Sequence, residues 1–374
     1  MAGKLEGKVA VIKETAQEGN IGVAICDADP RDGAHMGSGA GTEVAQVANP
    51  RDLVDPALLV GLELMPAFEI NTANLAEVRQ GMTQMAAMQE SHSAGVTWFE
   101  TTVPGAGAHS IAVRVYAPER PAQVSAGEDL TGAVLHIHGG GYVLGSVALS
   151  HAQNLALTKD LDALVVSVDY RLAPEHPAPA ALEDCYAVLC WLVDKADEFG
   201  LDPARIAVRG ESAGGGLAAA LAQVARDRGG PALVHQNLIY PMLDDRTCIA
   251  AQPAHLGAFV WTPRANAFGW RALLGMAPGA GIVPDYAAAA RMDDLSGLPP
   301  AFIAVGALDL FLLEDMDYAR RLAEAGVPTE FHVYPGAYHG FDVVAEAPVS
   351  LRLKRDAAAA LRAALRGSAD RDGA

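Results

Sequence analysis

The chain has 374 residues, of which 51% are hydrophobic and 19% are charged, so it can bury a large core and is not a disordered chain. Its formal net charge is −18, and a surface this acidic repels phosphate groups, so nucleic acid and anionic lipid are poor partners. The four cysteines form no CxxC pair and no zinc-like cluster with histidine. No signal-peptide pattern and no long apolar run are present. We therefore expect no metal, no membrane insertion and a cytoplasmic location.

The first 95 residues divide into two predicted segments. Residues 1–48 contain the apolar stretch "KVAVI" and the glycine-rich run "HMGSGAGTE", which predict an N-terminal extension that is flexible in part. The stretch resembles the opening strand of short-chain dehydrogenases, but the glycine spacing that a pyrophosphate needs is missing, so no nucleotide cofactor is expected. Over residues 49–95, apolar residues recur three and four apart, which predicts cap helices.

Strands and helices alternate over residues 96–374. Strands are predicted at 110–118, 133–139, 163–170, 205–210, 233–241, 301–308 and 329–336, and helices at 148–160, 179–198, 213–228, 314–325 and 348–366. This order predicts an α/β fold with a mostly parallel central sheet and helices on both faces. Residues 244–298 hold no clear strand but a long apolar and aromatic run, which predicts a cap insertion above the carboxyl edge of the sheet.

One serine lies between a predicted strand and a predicted helix. The apolar strand "RIAVR" runs into "GESAG" at 210–214, and an alanine-rich helix follows. In a Gly-x-Ser-x-Gly elbow the glycines make room for a sharp turn, which presents the serine hydroxyl at the positive end of a helix. The context predicts Ser212 as a nucleophile.

A glycine-rich loop follows the strand at 133–139. In "HIHGGGYVLGS" (136–146), three consecutive glycines allow backbone N–H groups to approach a reacting carbonyl closely. We predict that Gly140 and Gly141 supply two oxyanion donors and that Ala213, directly after the nucleophile, supplies a third. His136 and His138 flank this loop, and we expect them to organise it.

The candidate base and its acidic partner follow the last two predicted strands. Among 11 histidines, His339 lies in "YPGAYHGFD", directly after the final strand, where the chain order Ser, Asp, His puts the base. Asp309 in "GALDLF" follows the preceding strand, so its carboxylate can hold the imidazole Nδ1–H. Asp315 and Asp317, on the next predicted helix, are the alternatives.

Five motifs in this order resemble the hormone-sensitive-lipase-like family of α/β-hydrolase esterases. They are "HGGGY" (138–142), "DYRLAPEHPAPAALED" (169–184), "GESAGG" (210–215), "GALD" (306–309) and "YHGF" (338–341), and the resemblance covers about residues 95–365. It implies an α/β-hydrolase fold with a cap built from N-terminal helices and an insertion before the acidic residue. Many members carry Asp where Glu211 stands, and residues 1–45 match nothing in the family.

The expected activity is hydrolysis of a small-molecule ester by two-step acyl transfer on Ser212, without a metal or organic cofactor. A covered pocket limits the acyl chain, so we expect short-to-medium acyl esters. The sequence leaves two alternative functions open: an amidase or peptidase on the same triad, and a non-catalytic small-molecule binding protein of the same fold. It also leaves open whether the protein forms a homo-oligomer. The candidate substrate-pocket residues are Tyr142, Phe259, Val260, Trp261 and Phe311.

Overall fold

A single eight-stranded sheet forms the centre of the computed structural model, which describes residues 49–65, 69–88, 93–119, 131–279 and 281–366. The strand order is β1-β2-β4-β3-β5-β6-β7-β8. β2 pairs antiparallel with β1 and β4, and all other neighbours run parallel. The predicted fold class is therefore confirmed, whereas the prediction for residues 1–48 lies outside the described residues. The strands are β1 (Val96–Pro104), β2 (Ser110–Pro118), β3 (Thr131–Ile137), β4 (Leu164–Asp169), β5 (Leu201–Glu211), β6 (His235–Ile239), β7 (Ala301–Gly306) and β8 (Thr329–Tyr334).

Helices cover both faces of this sheet. Successive residues of a strand point to opposite faces, so Val134 packs with α3 and α9 while Leu135 packs with the cluster that contains α4 and α6. Ala and Gly make up most of α6, which lets this helix lie close against the sheet. The helices are α1 (Leu59–Leu64), α2 (Leu75–Met88), α3 (His151–Leu161), α4 (Ala180–Asp194), α5 (Ala196–Phe199), α6 (Ala213–Asp227), α7 (Pro263–Leu274), α8 (Leu312–Glu324) and α9 (Pro348–Leu365).

The structure adds elements that the sequence pattern did not predict. β1 is a largely exposed edge strand whose Trp98 and Phe99 face solvent, so it lacks the alternation of a half-buried strand. Within the predicted insertion at 244–298, α7 is the one α-helix, and the rest of that segment is irregular or short 3-10 helix in its described residues. Across the described ranges, no helix combines the length and apolar character needed to cross a bilayer.

The carboxyl ends of the parallel strands meet at one edge of the sheet. β3 and β5 run side by side, with Ile137 opposite Gly210, and β7 and β8 run side by side, with Gly306 opposite Tyr334. The loops that leave these four strands carry the glycine run and the candidate serine, aspartate and histidine. This edge is where open α/β sheets place their ligand sites.

Candidate active site

Ser212 occupies a strained turn between β5 and α6. Its backbone has φ 56° and ψ −121°, a conformation that a non-glycine residue adopts only where the surroundings enforce it. The glycines of the motif explain how the turn closes. A Cβ at Gly210 would collide with the Gly214 carbonyl, and a Cβ at Gly214 would collide with the Ile137 carbonyl of β3. The turn therefore presents the serine hydroxyl above the sheet edge.

The structure brings Ser212, His339 and Asp309 into one hydrogen-bonded chain. His339 Nε2 lies 2.9 Å from Ser212 Oγ, and His339 Nδ1 lies 2.8 Å from Asp309 Oδ2. Because a carboxylate only accepts, Nδ1 carries the proton and Nε2 is free to accept from the serine hydroxyl. Asp309 is 0% exposed, and its Oδ1 accepts a second hydrogen bond, from the Phe311 N–H at 3.0 Å. This second bond fixes the orientation of the carboxylate.

Aromatic rings enclose the imidazole of His339. The ring centroid of Tyr240 lies 4.8 Å away and that of Phe311 lies 5.1 Å away, both edge to face. Trp261 contributes a third ring at 6.3 Å. Ser212 and His339 are each only 6% exposed, so the hydrogen bonds of the chain lie in a largely water-excluded space. Exclusion of water strengthens these bonds.

The glycine run lies directly against the serine. A Cβ at Gly139 would come within 2.9 Å of the Glu211 carbonyl, so only glycine allows this approach. Gly140 and Gly141 have φ values of 123° and 60°, which also favour glycine. Within the described part of the chain, the N–H groups of these two residues donate to no backbone or side-chain acceptor. They are free to bind an oxygen of a substrate.

Glu211, the residue before the serine, is buried and triply bonded. Its Oε1 accepts from Arg209 Nε at 2.9 Å and from Gln153 Nε2 at 2.7 Å, and its Oε2 lies 3.0 Å from His136 Nε2. Burial by itself would raise the pKa of this carboxyl. Electrostatic interactions with His136 and Arg209, together with the hydrogen bonds from His136 and Gln153, outweigh burial and lower the pKa of Glu211 to about 2. The charged carboxylate thus ties β3, α3 and β5 together beside the elbow.

His138 forms a hydrogen bond with the first residue of the glycine run. Burial lowers its pKa to about 4, so the ring is neutral at pH 7, and its Nδ1–H donates to the Gly139 carbonyl at 2.8 Å. The ring stacks on Tyr170 with centroids 4.2 Å apart, and the Tyr170 hydroxyl donates to the His138 carbonyl. These contacts fix the start of the glycine run, so His138 organises this loop.

Two segments outside the sheet contact the loops of the site. Arg79 of α2 donates to the Val143 carbonyl at 2.8 Å, two residues after the glycine run. Near the histidine, the Tyr338 hydroxyl donates to the Leu58 carbonyl at 2.9 Å. From the other side, α7 packs so closely on the glycine run that a Cβ at Gly269 would lie 2.6 Å from the Gly141 carbonyl.

The five predicted pocket residues occupy different environments. The indole of Trp261 covers Gly141, where an added Cβ would collide with it, and Trp261 and Phe311 both contact His339. Tyr142 is fully buried, and its hydroxyl donates to the Met242 carbonyl at 2.8 Å. Phe259 packs against Tyr338, and Val260 is half-buried with a φ of 57°.

Four residues around the site were not predicted from the sequence: Tyr240, Arg209, Gln153 and Asp342. Tyr240 directly follows β6, the neighbour of β5, and its φ of 36° marks a strained position beside the elbow. Its place at the end of a neighbouring parallel strand was the available signal.

In the ranges that the structure covers, no group of three or more His, Cys, Asp or Glu side chains is arranged to hold a metal ion.

The fold and this hydrogen-bonded chain of serine, histidine and aspartate define the class of serine hydrolases with an α/β sheet. A family model described as alpha/beta hydrolase fold matches residues 134–343. The chain belongs to this family and to the esterases within it, which confirms the resemblance inferred from the five motifs.

Known proteins of similar sequence and structure carry esterase names. Esterase LipI of Mycobacterium tuberculosis is 35% identical over 305 residues, which cover 79% of this chain and 89% of LipI. Carboxylesterase NlhH of the same organism is 36% identical over 294 residues, 77% of this chain and 88% of NlhH. Among solved structures, a bacterial heroin esterase superposes with a TM-score of 0.75 at 34% identity and covers 85% of this chain and 100% of its own.

Proposed function

We propose that this esterase is a serine carboxylesterase that hydrolyses short-to-medium acyl esters through an acyl-enzyme on Ser212. The observation that carries the proposal is the pair of hydrogen bonds of His339, 2.9 Å to Ser212 Oγ and 2.8 Å to Asp309 Oδ2. A serine hydroxyl is a weak nucleophile until an adjacent base removes its proton, and this geometry supplies that base.

The first half of the reaction forms the acyl-enzyme. His339 Nε2 takes the proton of Ser212 as Oγ attacks the ester carbonyl, and Asp309 stabilises the imidazolium that results. The carbonyl π electrons move onto the oxygen, which becomes the oxyanion of a tetrahedral intermediate. When this intermediate collapses, the bond to the alcohol oxygen breaks and His339 returns its proton to the leaving alcohol.

The second half releases the acid. Water gives a proton to His339 Nε2 and attacks the acyl carbon, and Ser212 Oγ leaves with that proton. In both halves the N–H groups of Gly140, Gly141 and Ala213 are the proposed oxyanion donors. The free N–H groups of the two glycines support this role, as does the place of Ala213 at the first position of α6, where backbone N–H groups lack helical partners.

The acyl preference rests on the walls beside His339. Trp261 and Phe311 are large side chains with 7% and 0% exposure, and the Trp261 Nε1–H donates to Asn266 Oδ1 at 3.2 Å, which holds the indole over Gly141. Each methylene of the acyl chain contributes about 0.8 kcal/mol to binding only while it is buried against an apolar side chain. A rigid indole at the reacting carbonyl limits that wall, and long acyl chains gain nothing further.

The proposal includes a cap made of residues 49–95 and 244–298. Four contacts support it: Arg79 with Val143, Tyr338 with Leu58, Gly269 with Gly141, and Trp261 with Gly141. A cytoplasmic location is the further part of the proposal. Cys185, Cys190 and Cys248 are all free thiols, as a reducing compartment favours.

The decisive experiment combines labelling with an acyl series. A fluorophosphonate probe is expected to label Ser212, and kcat/KM for p-nitrophenyl esters is expected to rise from acetate to butyrate or octanoate and to fall at palmitate. Labelling at another serine contradicts the mechanism. A maximum at palmitate, or activation by emulsified triolein, contradicts the acyl preference and identifies a lipase. The matching anilides test the amidase alternative, and labelling without turnover of any ester favours a binding protein.

A further inference from the structure

A cavity of about 430 Å³ lies between α3 and α9. None of Ser212, Asp309, His339 or the glycine run lines it. We call it the α3–α9 cavity. Its apolar wall comes from both helices, and its polar residues come from the same two helices, from β5 and from the loop after β8. The apolar residues include Ala156, Leu157, Leu353 and Ala358, and the polar ones are Gln153, Asp160, Arg209, Asp342 and Lys354.

Two cationic side chains with spare hydrogen-bond donors line this cavity. Arg209 is nearly buried and donates from Nε to Glu211 and from Nη1 to Asn237, while its Nη2 donates to no group in the part of the chain that the structure covers. Lys354 uses one donor, at 3.3 Å, on a backbone carbonyl. An acceptor that enters the cavity can therefore bind this remaining donor of Arg209.

The carboxylates that line the cavity are already engaged. Asp160 accepts from Arg362 at 2.7 Å. Asp342 accepts from the Tyr240 hydroxyl at 2.6 Å. An anion in the cavity therefore meets spare donors of two cationic groups, while each lining carboxylate already accepts a hydrogen bond from another residue.

We propose that the α3–α9 cavity binds a small aliphatic carboxylate. The carboxylate group lies on Arg209 Nη2 and Lys354, and the alkyl tail lies along Leu157, Leu353 and Ala358. An inorganic anion would leave the apolar wall unused, and a neutral apolar ligand would leave the guanidinium donor without an acceptor. The volume lies in the range of small-molecule sites.

Two chains of contacts connect this site with the catalytic residues. On one side Arg209 and Gln153 bind Glu211, which directly precedes Ser212. On the other side Asp342 binds Tyr240, whose ring packs on His339 at 4.8 Å. A bound carboxylate competes with Glu211 for the guanidinium of Arg209, so it loosens the elbow and lowers kcat. This effect on turnover rests on the proposed function, whereas the binding itself does not.

The test measures binding while the active site is blocked. Hexanoate is titrated by calorimetry into protein phosphonylated at Ser212, so that binding at the catalytic serine cannot contribute. We expect one saturable site with a roughly millimolar Kd. Along acetate, butyrate and hexanoate, each added methylene is expected to tighten Kd about fourfold. Absence of saturable hexanoate binding, or equal affinity along the series, overturns the proposal.

Three variants localise the site. Ala156→Trp fills the cavity from an exposed position of α3, and Lys354→Met removes the cation of α9. Ala359→Trp is the matched control, because Ala359 is exposed on α9 and does not line the cavity. We expect Ala156→Trp to lose hexanoate binding. We expect Lys354→Met to bind hexanoate at least about tenfold more weakly, because one lost charge contact is worth a factor of about ten. Hexanoate binding by the control Ala359→Trp is expected to stay unchanged. Unchanged binding in both cavity variants overturns the proposal.

Kinetics separate this proposal from the proposed function. In the unlabelled enzyme, hexanoate is expected to lower kcat. The Ala156→Trp substitution is expected to abolish this decrease in kcat, whereas competitive inhibition by hexanoate at the active site is expected to remain. Inhibition that stays the same in Ala156→Trp contradicts the connection to the catalytic residues. If the probe fails to label Ser212, the proposed function fails, and the Ala156→Trp and Ala359→Trp pair still decides the binding on unlabelled protein.

Discussion

Replacing Glu211 with Gln is expected to destabilise the fold by about 3 kcal/mol at neutral pH. The carboxyl has a pKa of about 2 in the folded protein against a usual value of 4.5, and this difference corresponds to about 3 kcal/mol of folding free energy. Gln keeps the shape of the side chain but removes the negative charge that pairs with Arg209. Breaking one partner of a buried charge network has a cost of the same size, about 3–5 kcal/mol.

The loss of stability caused by Glu211→Gln is expected to become smaller as the pH falls. Folding lowers the pKa of Glu211, so its contribution is complete above pH 4.5 and is lost as the pH falls towards 2. At about pH 3 roughly half of the contribution remains. The difference in unfolding free energy between wild type and Glu211→Gln is therefore expected to shrink by about half between neutral pH and about pH 3.

Urea unfolding followed by circular dichroism measures this difference at both pH values. Glu198→Gln is the control, because Glu198 forms an exposed ion pair with Lys195 at 2.7 Å and such pairs contribute about 0–1 kcal/mol. A penalty for Glu211→Gln no larger than that of the control refutes the buried network. A penalty that stays constant between the two pH values refutes the lowered pKa as its cause.

The catalytic proposal gives three further predictions. Ser212→Ala is expected to lower kcat by roughly 10⁴-fold or more without a change in the circular dichroism spectrum, and substantial residual turnover contradicts the nucleophile. Asp309→Asn is expected to lower kcat by roughly 10⁴-fold, because an amide favours the wrong imidazole tautomer. Asp315→Asn is expected to cost far less, since neither carboxylate oxygen of Asp315 has a hydrogen-bond partner within the described ranges, and the opposite ranking contradicts Asp309. Trp261→Ala is expected to raise the ratio of kcat/KM for octanoate esters to that for butyrate esters by roughly tenfold. Removal of the indole leaves more apolar surface for the acyl chain, and each additional buried methylene is worth about fourfold. An unchanged ratio shows that another residue limits the length of the acyl chain.

The sheet edge was predictable because each candidate residue lies in the turn or loop that follows a predicted strand. The runs "RIAVRG" and "AFIAVG" are buried on both faces, and such runs are visible in the sequence without knowledge of their neighbours. Parallel strands carry their carboxyl ends to one edge, so the order of the motifs alone brings the loops of Ser212, Asp309 and His339 together. In the structure these side chains lie within hydrogen-bond distance of one another.

β1 was not predictable by the same reasoning. Its sequence "VTWFETTVP" has two buried residues at its ends and a mostly exposed centre, so neither alternation nor a continuous apolar run marks it. The strand forms because its backbone pairs with β2 over its whole length, from Val96 with Pro118 to Pro104 with Ser110. Such pairing depends on a neighbour rather than on the strand's own pattern.

The polar network behind the serine depends on contacts between residues that are distant in sequence. Gln153 meets Glu211 across 58 residues, and Tyr240 meets Asp342 across 102 residues. Taken alone, each of these polar residues is an ordinary surface type, and only the sheet order makes them neighbours. The local exception is the pair Arg209 and Glu211, two residues apart on β5 and therefore on one face. Two opposite charges on the same face of a strand that is otherwise buried imply a buried pair, and a buried pair directly before a nucleophile implies a network that holds it. That inference needs only the strand assignment, so the Arg209–Glu211 pair is the one part of the network that the sequence could have predicted.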